Sequence, residues 1–502
     1  MSGCGNARVV IVGCGISGIA AARRLVETGF NVHILEATGR SGGRIKTTTL
    51  GDNIVEIGAN WIHGPCEENP VFCLARQYGL LDQQALTPEN QAMEINGYPP
   101  WAPIYFTSSG RKLSAGEVEP AVEIFTELQC DCQLIGWNIP DVTGNELYLV
   151  LVQVQKRAAE KWKDIDARTK SLLLCVISNL LKLECCVNGT HSLDDVGLGG
   201  CTLYHSLPGL DCVFSGGYEG LIEKLMSELP SGSVIYNQPV RSIHWNNNTG
   251  KRERPVIIEC EAGRRIAADH VIVTVPLGFL KKHHSALFNP PLPPHKLQSV
   301  QRLGFGTNNK IFVEFDSPWW DADCEVIHLL WEDEEALVDQ VPDIQRSWIK
   351  KLFGFTVLKP NERYSHVLCG WISGHESEYM ELVSEQDVMQ SITQLLRKFT
   401  GNPTITPRRI LRSQWFHHPW THGSYTYPAK GCSKQDFDNM MEPLPTKGSQ
   451  AKPLQVLFAG EATHQCYFST VHGAVLSGWR EADRLISHYS STAPSEPHRS
   501  KL

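Results

Sequence analysis

The chain has 502 residues, 42% hydrophobic and 20% charged, with a formal net charge of -8. That length exceeds one compact core, so two domains are expected. The composition is that of an ordinary globular protein, and with no basic run and a negative net charge nucleic acid is not an expected partner.

Val9-Val10-Ile11-Val12 is an apolar run followed by glycines, the pattern of a buried parallel strand. Ala20, Ala21, Ala22 and Leu25 favour a helix, and Gly29 can stop it. Val32 to Leu35 reads as a second strand. The connecting turn, Gly13-Cys14-Gly15-Ile16-Ser17-Gly18, is a G-x-G-x-x-G fingerprint. Gly13 permits the tight turn, Gly15 lets a pyrophosphate approach the backbone, and Gly18 lets helix and strand pack closely. The N–H groups at the helix start, Ser17 among them, favour phosphate. Glu36 closes the second strand, where a carboxylate accepts from ribose hydroxyls and repels a 2′-phosphate. The reading is a site for FAD or NAD rather than NADP. Gly42-Gly43-Arg44 goes beyond the plain pattern and is expected to lay backbone and a guanidinium against the ligand.

Thr47 to Asn60 reads as strand turning back on itself, and the small residues Gly58, Ala59 and Asn60 allow close approach to a ring system. Residues 80 to 200 are dominated by helix-compatible segments. Leu172 to Leu183 reads as a buried core helix, and no apolar run reaches the roughly 18 residues a membrane span needs. No membrane insertion is expected. Phe214 to Leu221 opens a short helix. Val234 to Val240, Val256 to Ala262 and Asp269 to Val275 read as strands. Pro290 to Pro294 reads as a rigid linker, and Lys310 to Phe315 as a strand. Ser384 to Asp387 is a capping signal, with Val388, Ile392, Leu395 and Phe399 on one helical face. Val456 to Phe458 and a helix from Gly473 to Ile486 complete the fold.

The sixteen cysteines are scattered without zinc-ligand spacing, so reduced thiols and no metal are expected. The first residues carry no secretory pattern. The sequons at Asn188 and Asn247 are therefore expected to stay unused. Ser500-Lys501-Leu502 is a receptor-read peroxisomal address on a polar tail.

Five separated stretches resemble the flavin-containing amine oxidase family, in the family's order: the N-terminal unit through Arg44, Gly58 to Gly64, Pro419 to Tyr425, Phe458 to Thr463, and Thr470 to Ala474. The resemblance implies an α/β fold. A Rossmann-type FAD-binding domain would be assembled from 1–80, 205–285 and 450–490, beside an α+β substrate-binding domain from 81–204 and 286–449, with 491–502 as a tail. It implies FAD held by Gly13, Gly15, Ser17, Gly18, Glu36, Gly43, Arg44, Asn60, Trp61, Val240, Glu461, Thr470 and Val471. No cysteine stands in Gly423 to Tyr427, so attachment is expected to be non-covalent. Within the family the chain is most similar to polyamine oxidases of the peroxisomal, acetylpolyamine-oxidising branch, with unacetylated spermine as the alternative substrate. Lys310 resembles the lysine that holds a water at the flavin, and His63 a histidine beside it. Glu184, Val187, Tyr204, Asn308, Tyr427, Thr470 and His63 are the implied substrate contacts. Trp61, Trp420 and Tyr425 are further candidates for an aromatic wall. The rival readings are a surface lysine for Lys310, a structural histidine for His63 and a buried ion pair for Glu184. Dioxygen, a peroxisomal import receptor and a monomeric state complete the expectations.

Overall fold

The computed structural model describes residues 7–92, 102–138, 156–197, 203–246, 254–334, 343–359, 364 and 366–492. The tripeptide Ser500-Lys501-Leu502, expected to be a peroxisomal address, and the sequon at Asn247 lie outside them.

Arg8–Val12 is the middle strand of a five-stranded parallel sheet, ordered Val456–Phe458, His270–Val273, Arg8–Val12, Asn31–Leu35, Val234–Ile235. Alternation along the strand decides what covers each face. Val9 and Ile11 join the core under the helices Ile16–Glu27 and Val471–Thr492. Val10 and Val12 join a second core, shared with Ile243, Val256 and Ile258. Those residues belong to a four-stranded sheet, ordered Arg265–Ala268, Val256–Cys260, Val240–His244, Phe288–Asn289. The two helices pack closely because Gly478 carries no side chain; a Cβ there would collide with the Ser17 carbonyl oxygen.

The expected single strand from Val234 to Val240 is two. Asn237 adopts a left-handed φ of 53°, and Pro239 has no N–H to donate to a ladder. The chain therefore leaves the parallel sheet after Ile235 and enters the other sheet at Val240.

A seven-stranded mixed sheet holds the rest, ordered Arg409–Arg412, Asn308–Glu314, Val367–Ser373, Gly354–Val357, Val326–Leu330, Pro103–Thr107, Lys112–Leu113. Its last two strands fall in the stretch from 80 to 200 read as dominated by helix-compatible segments. On one face, Ile311, Val313 and Ile372 pack with Val388, Ile392, Leu395 and Phe399 of the helix Glu385–Thr400. Ser384 caps that helix by accepting from the Asp387 N–H at 3.1 Å. On the other face, Phe312 packs with Leu50 and Val55 of the hairpin Thr47–Glu56. Asn308 and Lys310 share the parity of Phe312, so the strand aims them toward that hairpin's side.

The core helix runs Ala167–Asn188, longer than the expected Leu172 to Leu183. Asp166 caps its start, and Gly189 ends it in the left-handed region. It is long and apolar enough to cross a membrane by length and composition, which corrects the shorter reading, yet 67% of that apolar stretch is buried inside the fold.

Candidate active site

A cavity of about 1720 Å³ extends from the carboxyl ends of the parallel strands to the mixed sheet. Every expected ligand-contact residue except Gly18 lines it.

The first end is built from glycines. Gly13 has a φ of 107°, and a side chain at Gly18 would collide with its carbonyl oxygen. Gly15 has open space where a Cβ would stand. Gly43, at a φ of 61°, backs onto it, with the Gly15 Cα 3.3 Å from the place of its own Cβ. Gly15 caps the helix with no side-chain acceptor. The Ser17 and Gly18 N–H groups lie in the first turn, where the helix itself provides them no acceptor. The Ser17 hydroxyl meets Ser477 Oγ at 3.2 Å, which leaves the main chain of Ser17 as its ligand-facing part. Glu36 is oriented by donors from Cys14 N at 2.8 Å and from Thr38 N at 2.8 Å and Oγ1 at 2.7 Å. Val240 lines the same end.

Farther in, Arg44 Nη1 donates to Glu461 Oε1 at 2.8 Å and to the Ser424 carbonyl at 2.9 Å. Glu461 also accepts from Thr426 Oγ1 at 3.1 Å and Ser469 N at 2.8 Å. It therefore braces Arg44 and the loop before the C-terminal helix. Thr470 Oγ1 caps that helix, accepting from Gly473 N at 3.0 Å and donating to Tyr467 O at 2.7 Å. Val471 starts it.

Lys310 stands at the centre. It is buried, which removes the surface-lysine reading. Nζ donates to the Glu56 carbonyl at 2.8 Å and the Gly58 carbonyl at 2.6 Å, and lies 4.8 Å from the Trp371 ring centroid. An ammonium has three donors, so one N–H is left for a ligand or water. Burial lowers the Lys310 pKa to about 8, against smaller opposing contributions from Cys369 and Glu56. Trp371 in turn stacks on Trp61, with centroids 5.5 Å apart. Asn60 lines the wall beside them.

His63 Nδ1 lies 2.6 Å from Asp211 Oδ2. Enclosure by the cavity walls pulls the His63 pKa down although its side chain faces the open cavity space, but the charge and hydrogen bond of Asp211 outweigh it and raise the value above the ordinary one.

At the far end, Glu184, Val187 and Asn188 project from the last turn of the core helix. Asn188 Nδ2 donates to the Glu184 main-chain oxygen at 3.0 Å. Asn308 Nδ2 donates to Tyr425 OH at 2.9 Å, and that hydroxyl donates to the Cys186 carbonyl at 2.5 Å. The amide is thereby locked, and its buried Oδ1 has no partner among the described residues. Tyr204, Trp420 and Tyr427 also line the cavity, Tyr427 beside the core helix and the other two against the second core.

The model of the family "Flavin containing amine oxidoreductase" matches residues 16–105 and 153–486. The chain belongs to this family. It is accordingly an FAD-dependent amine oxidoreductase. It is 46% identical over 494 residues to the peroxisomal N(1)-acetyl-spermine/spermidine oxidase of Bos taurus, covering 97% of this chain and 96% of the relative. The Homo sapiens protein of the same name is 45% identical over 500 residues, covering 96% and 95%. Polyamine oxidase 1 of Oryza sativa subsp. japonica is 32% identical over 532 residues, covering 97% and 98%.

The cavity suits the family's flavin. A glycine cradle, free helix N–H groups and a strand-end carboxylate stand at one end, and a buried lysine stands beyond them. Two of its residues escape a reading of the sequence. Trp371 is placed by strand register, opposite Lys310. Asp211 is placed by a bridge between Ile62 and Cys212, which sets the residue before Cys212 beside the residue after Ile62. Neither carries a local motif. Among the described residues, no cluster of His, Cys, Asp or Glu could hold a metal, and no disulfide joins the cysteines.

Proposed function

We propose that the protein is an FAD-dependent oxidase of N1-acetylated polyamines, converting N1-acetylspermine or N1-acetylspermidine with O2 into the shorter polyamine, 3-acetamidopropanal and H2O2. The observation that carries this is one continuous cavity joining the glycine cradle, the buried Lys310 and an aromatic, carboxylate-bearing far end. The names of the bovine and human relatives support the acetylated substrate.

The proposed cofactor domain is of Rossmann type and comprises 1–80, 205–285 and 450–490. The substrate domain comprises 81–204 and 286–449. Gly13, Gly15, Ser17, Gly18, Gly43 and Arg44 would hold the pyrophosphate region, Glu36 the ribose and Val240 the adenine end. Asn60, Trp61, Glu461, Thr470 and Val471 would hold the ring end. FAD, held non-covalently, would supply a hydride acceptor for the carbon next to the amine nitrogen, with O2 as the final acceptor. The protein binds and orients the amine. Glu184 draws in the polyamine cation, and Asn308 Oδ1 accepts from an N–H of the substrate. Val187, Tyr204, Tyr427 and Thr470 line the alkyl path. Lys310 presents its remaining N–H to a water at the reacting centre. A monomer in the peroxisome, imported through Ser500-Lys501-Leu502, completes the proposal.

The test is anaerobic mixing of the yellow enzyme with amines. N1-acetylspermine should bleach the flavin, free spermine should do so more slowly, and benzylamine should not. Faster bleaching by free spermine would move the reading to a spermine oxidase, and no bleaching by either would overturn it.

A further inference from the structure

His63 is held from several sides. Its carbonyl accepts from Asn69 Nδ2 at 2.7 Å, and Asn69 caps the helix Pro70–Gln77. Across the bridge between Ile62 and Cys212, Asp211 takes both of the next donors. Oδ1 accepts from Gly64 N at 3.1 Å, and Oδ2 lies 2.6 Å from His63 Nδ1. An ionised carboxylate has no proton to give, so Nδ1 carries the hydrogen. In the neutral ring the lone pair is then on Nε2. Nε2 makes no protein hydrogen bond among the described residues. The side chain is 46% exposed, and the space it faces is the cavity.

We propose that Asp211 is a positioning residue, fixing His63 so that Nε2 accepts the proton of the bound secondary ammonium. This rests on the polyamine oxidase reading. The N–H bond of the ammonium breaks, its electron pair stays on the amine nitrogen, and an Nε2–H bond forms. The imidazolium produced lies beside the Asp211 carboxylate, which offsets its charge. The neutral amine left behind has the lone pair that loss of hydride from the adjacent carbon requires. Among the described residues, Tyr204, Cys212 and His472 beside His63 are poorer bases. Burial and the Asp211 charge raise the pKa values of Tyr204 and Cys212, which stay protonated. Burial holds His472 near 3, with the nearby His63 adding to the effect, so His472 stays neutral.

Asp211→Asn separates positioning from architecture. The amide keeps the shape, and its oxygen can still accept from Gly64. Its NH2 now donates to Nδ1, so the ring proton moves to Nε2, which becomes a donor and loses its lone pair. Anaerobic flavin bleaching by N1-acetylspermine should slow by about tenfold or more. The acid limb of the bleaching rate against pH should move to lower pH, because the carboxylate that raises the His63 pKa is gone. The flavin spectrum and Tm should be unchanged, and Asp211→Glu should recover part of the rate. Wild-type rate and profile in Asp211→Asn would overturn the inference. So would a slow rate accompanied by lost flavin or a lowered Tm in both variants, which would mark a structural role. No bleaching of the wild-type enzyme would instead sink the oxidase reading beneath it.

Discussion

Lys310 and Trp371 lie directly opposite each other on paired antiparallel strands, with Lys310 Nζ 4.8 Å from the centre of the indole. The ammonium is thus held between a π face and the two carbonyls of Glu56 and Gly58. The same register sends Ile311 into the core on the opposite face. One strand therefore supplies both core packing and the buried ammonium that lines the cavity.

Burial lowers the Lys310 pKa from 10.5 to about 8. Between those values the unfolded chain binds more protons than the folded one, so this group's contribution to stability rises with pH in that window. Below about 8 both states are charged and the burial penalty is complete. Relative to Lys310→Met, the wild-type enzyme should gain stability from pH 8 to 10 in denaturant titrations. A constant difference across that range would contradict the placement.

Glu184→Gln should weaken binding of the cationic substrate by about tenfold or more, near 1.4 kcal/mol. The limiting rate of flavin bleaching should stay closer to wild type, because the residue sits at the far end of the cavity. A change in Tm without a change in substrate dissociation constant would return Glu184 to a structural part.

Gly18→Ala drives a methyl group into the Gly13 carbonyl oxygen. Overpacking of this kind costs about 1–3 kcal/mol. The variant should melt lower and retain less FAD. Gly15→Ala has open space at the same loop, so its Tm should move less while FAD retention falls. Equal Tm losses in both variants would contradict this reading.

FAD should leave the chain on acid denaturation, since Gly423 to Tyr427 contains no cysteine to attach it. Yellow colour remaining in the precipitate would contradict non-covalent binding. Removing Ser500 to Leu502 should leave oxidase activity intact and send the protein to the cytosol. Continued peroxisomal import would dismiss the tripeptide as the signal.

Residues whose roles depend on local spacing are legible in the sequence. Gly13, Gly15 and Gly18 declare a turn geometry, and the two-residue period puts Asn308 and Lys310 on one face before any coordinates are known. The division of Val234 to Val240 between two sheets is harder to see, since it depends on a left-handed Asn237. Asp211 and Trp371 depend on pairings between distant segments. His63 and Asp211 are 148 positions apart, and no periodicity within either segment signals that they meet. The brace from Glu461 to Arg44 spans 417 positions for the same reason.

The most direct test is Lys310→Met followed through both flavin half-reactions by rapid mixing. The change keeps most of the bulk and removes the ammonium. Flavin bleaching or its reoxidation by O2 should slow by about tenfold or more, on the order of 1.4 kcal/mol of barrier. FAD should remain bound, and the substrate dissociation constant should move far less. Wild-type limiting rates in both half-reactions would show that Lys310 only supports the fold and that the reacting centre lies elsewhere in the cavity.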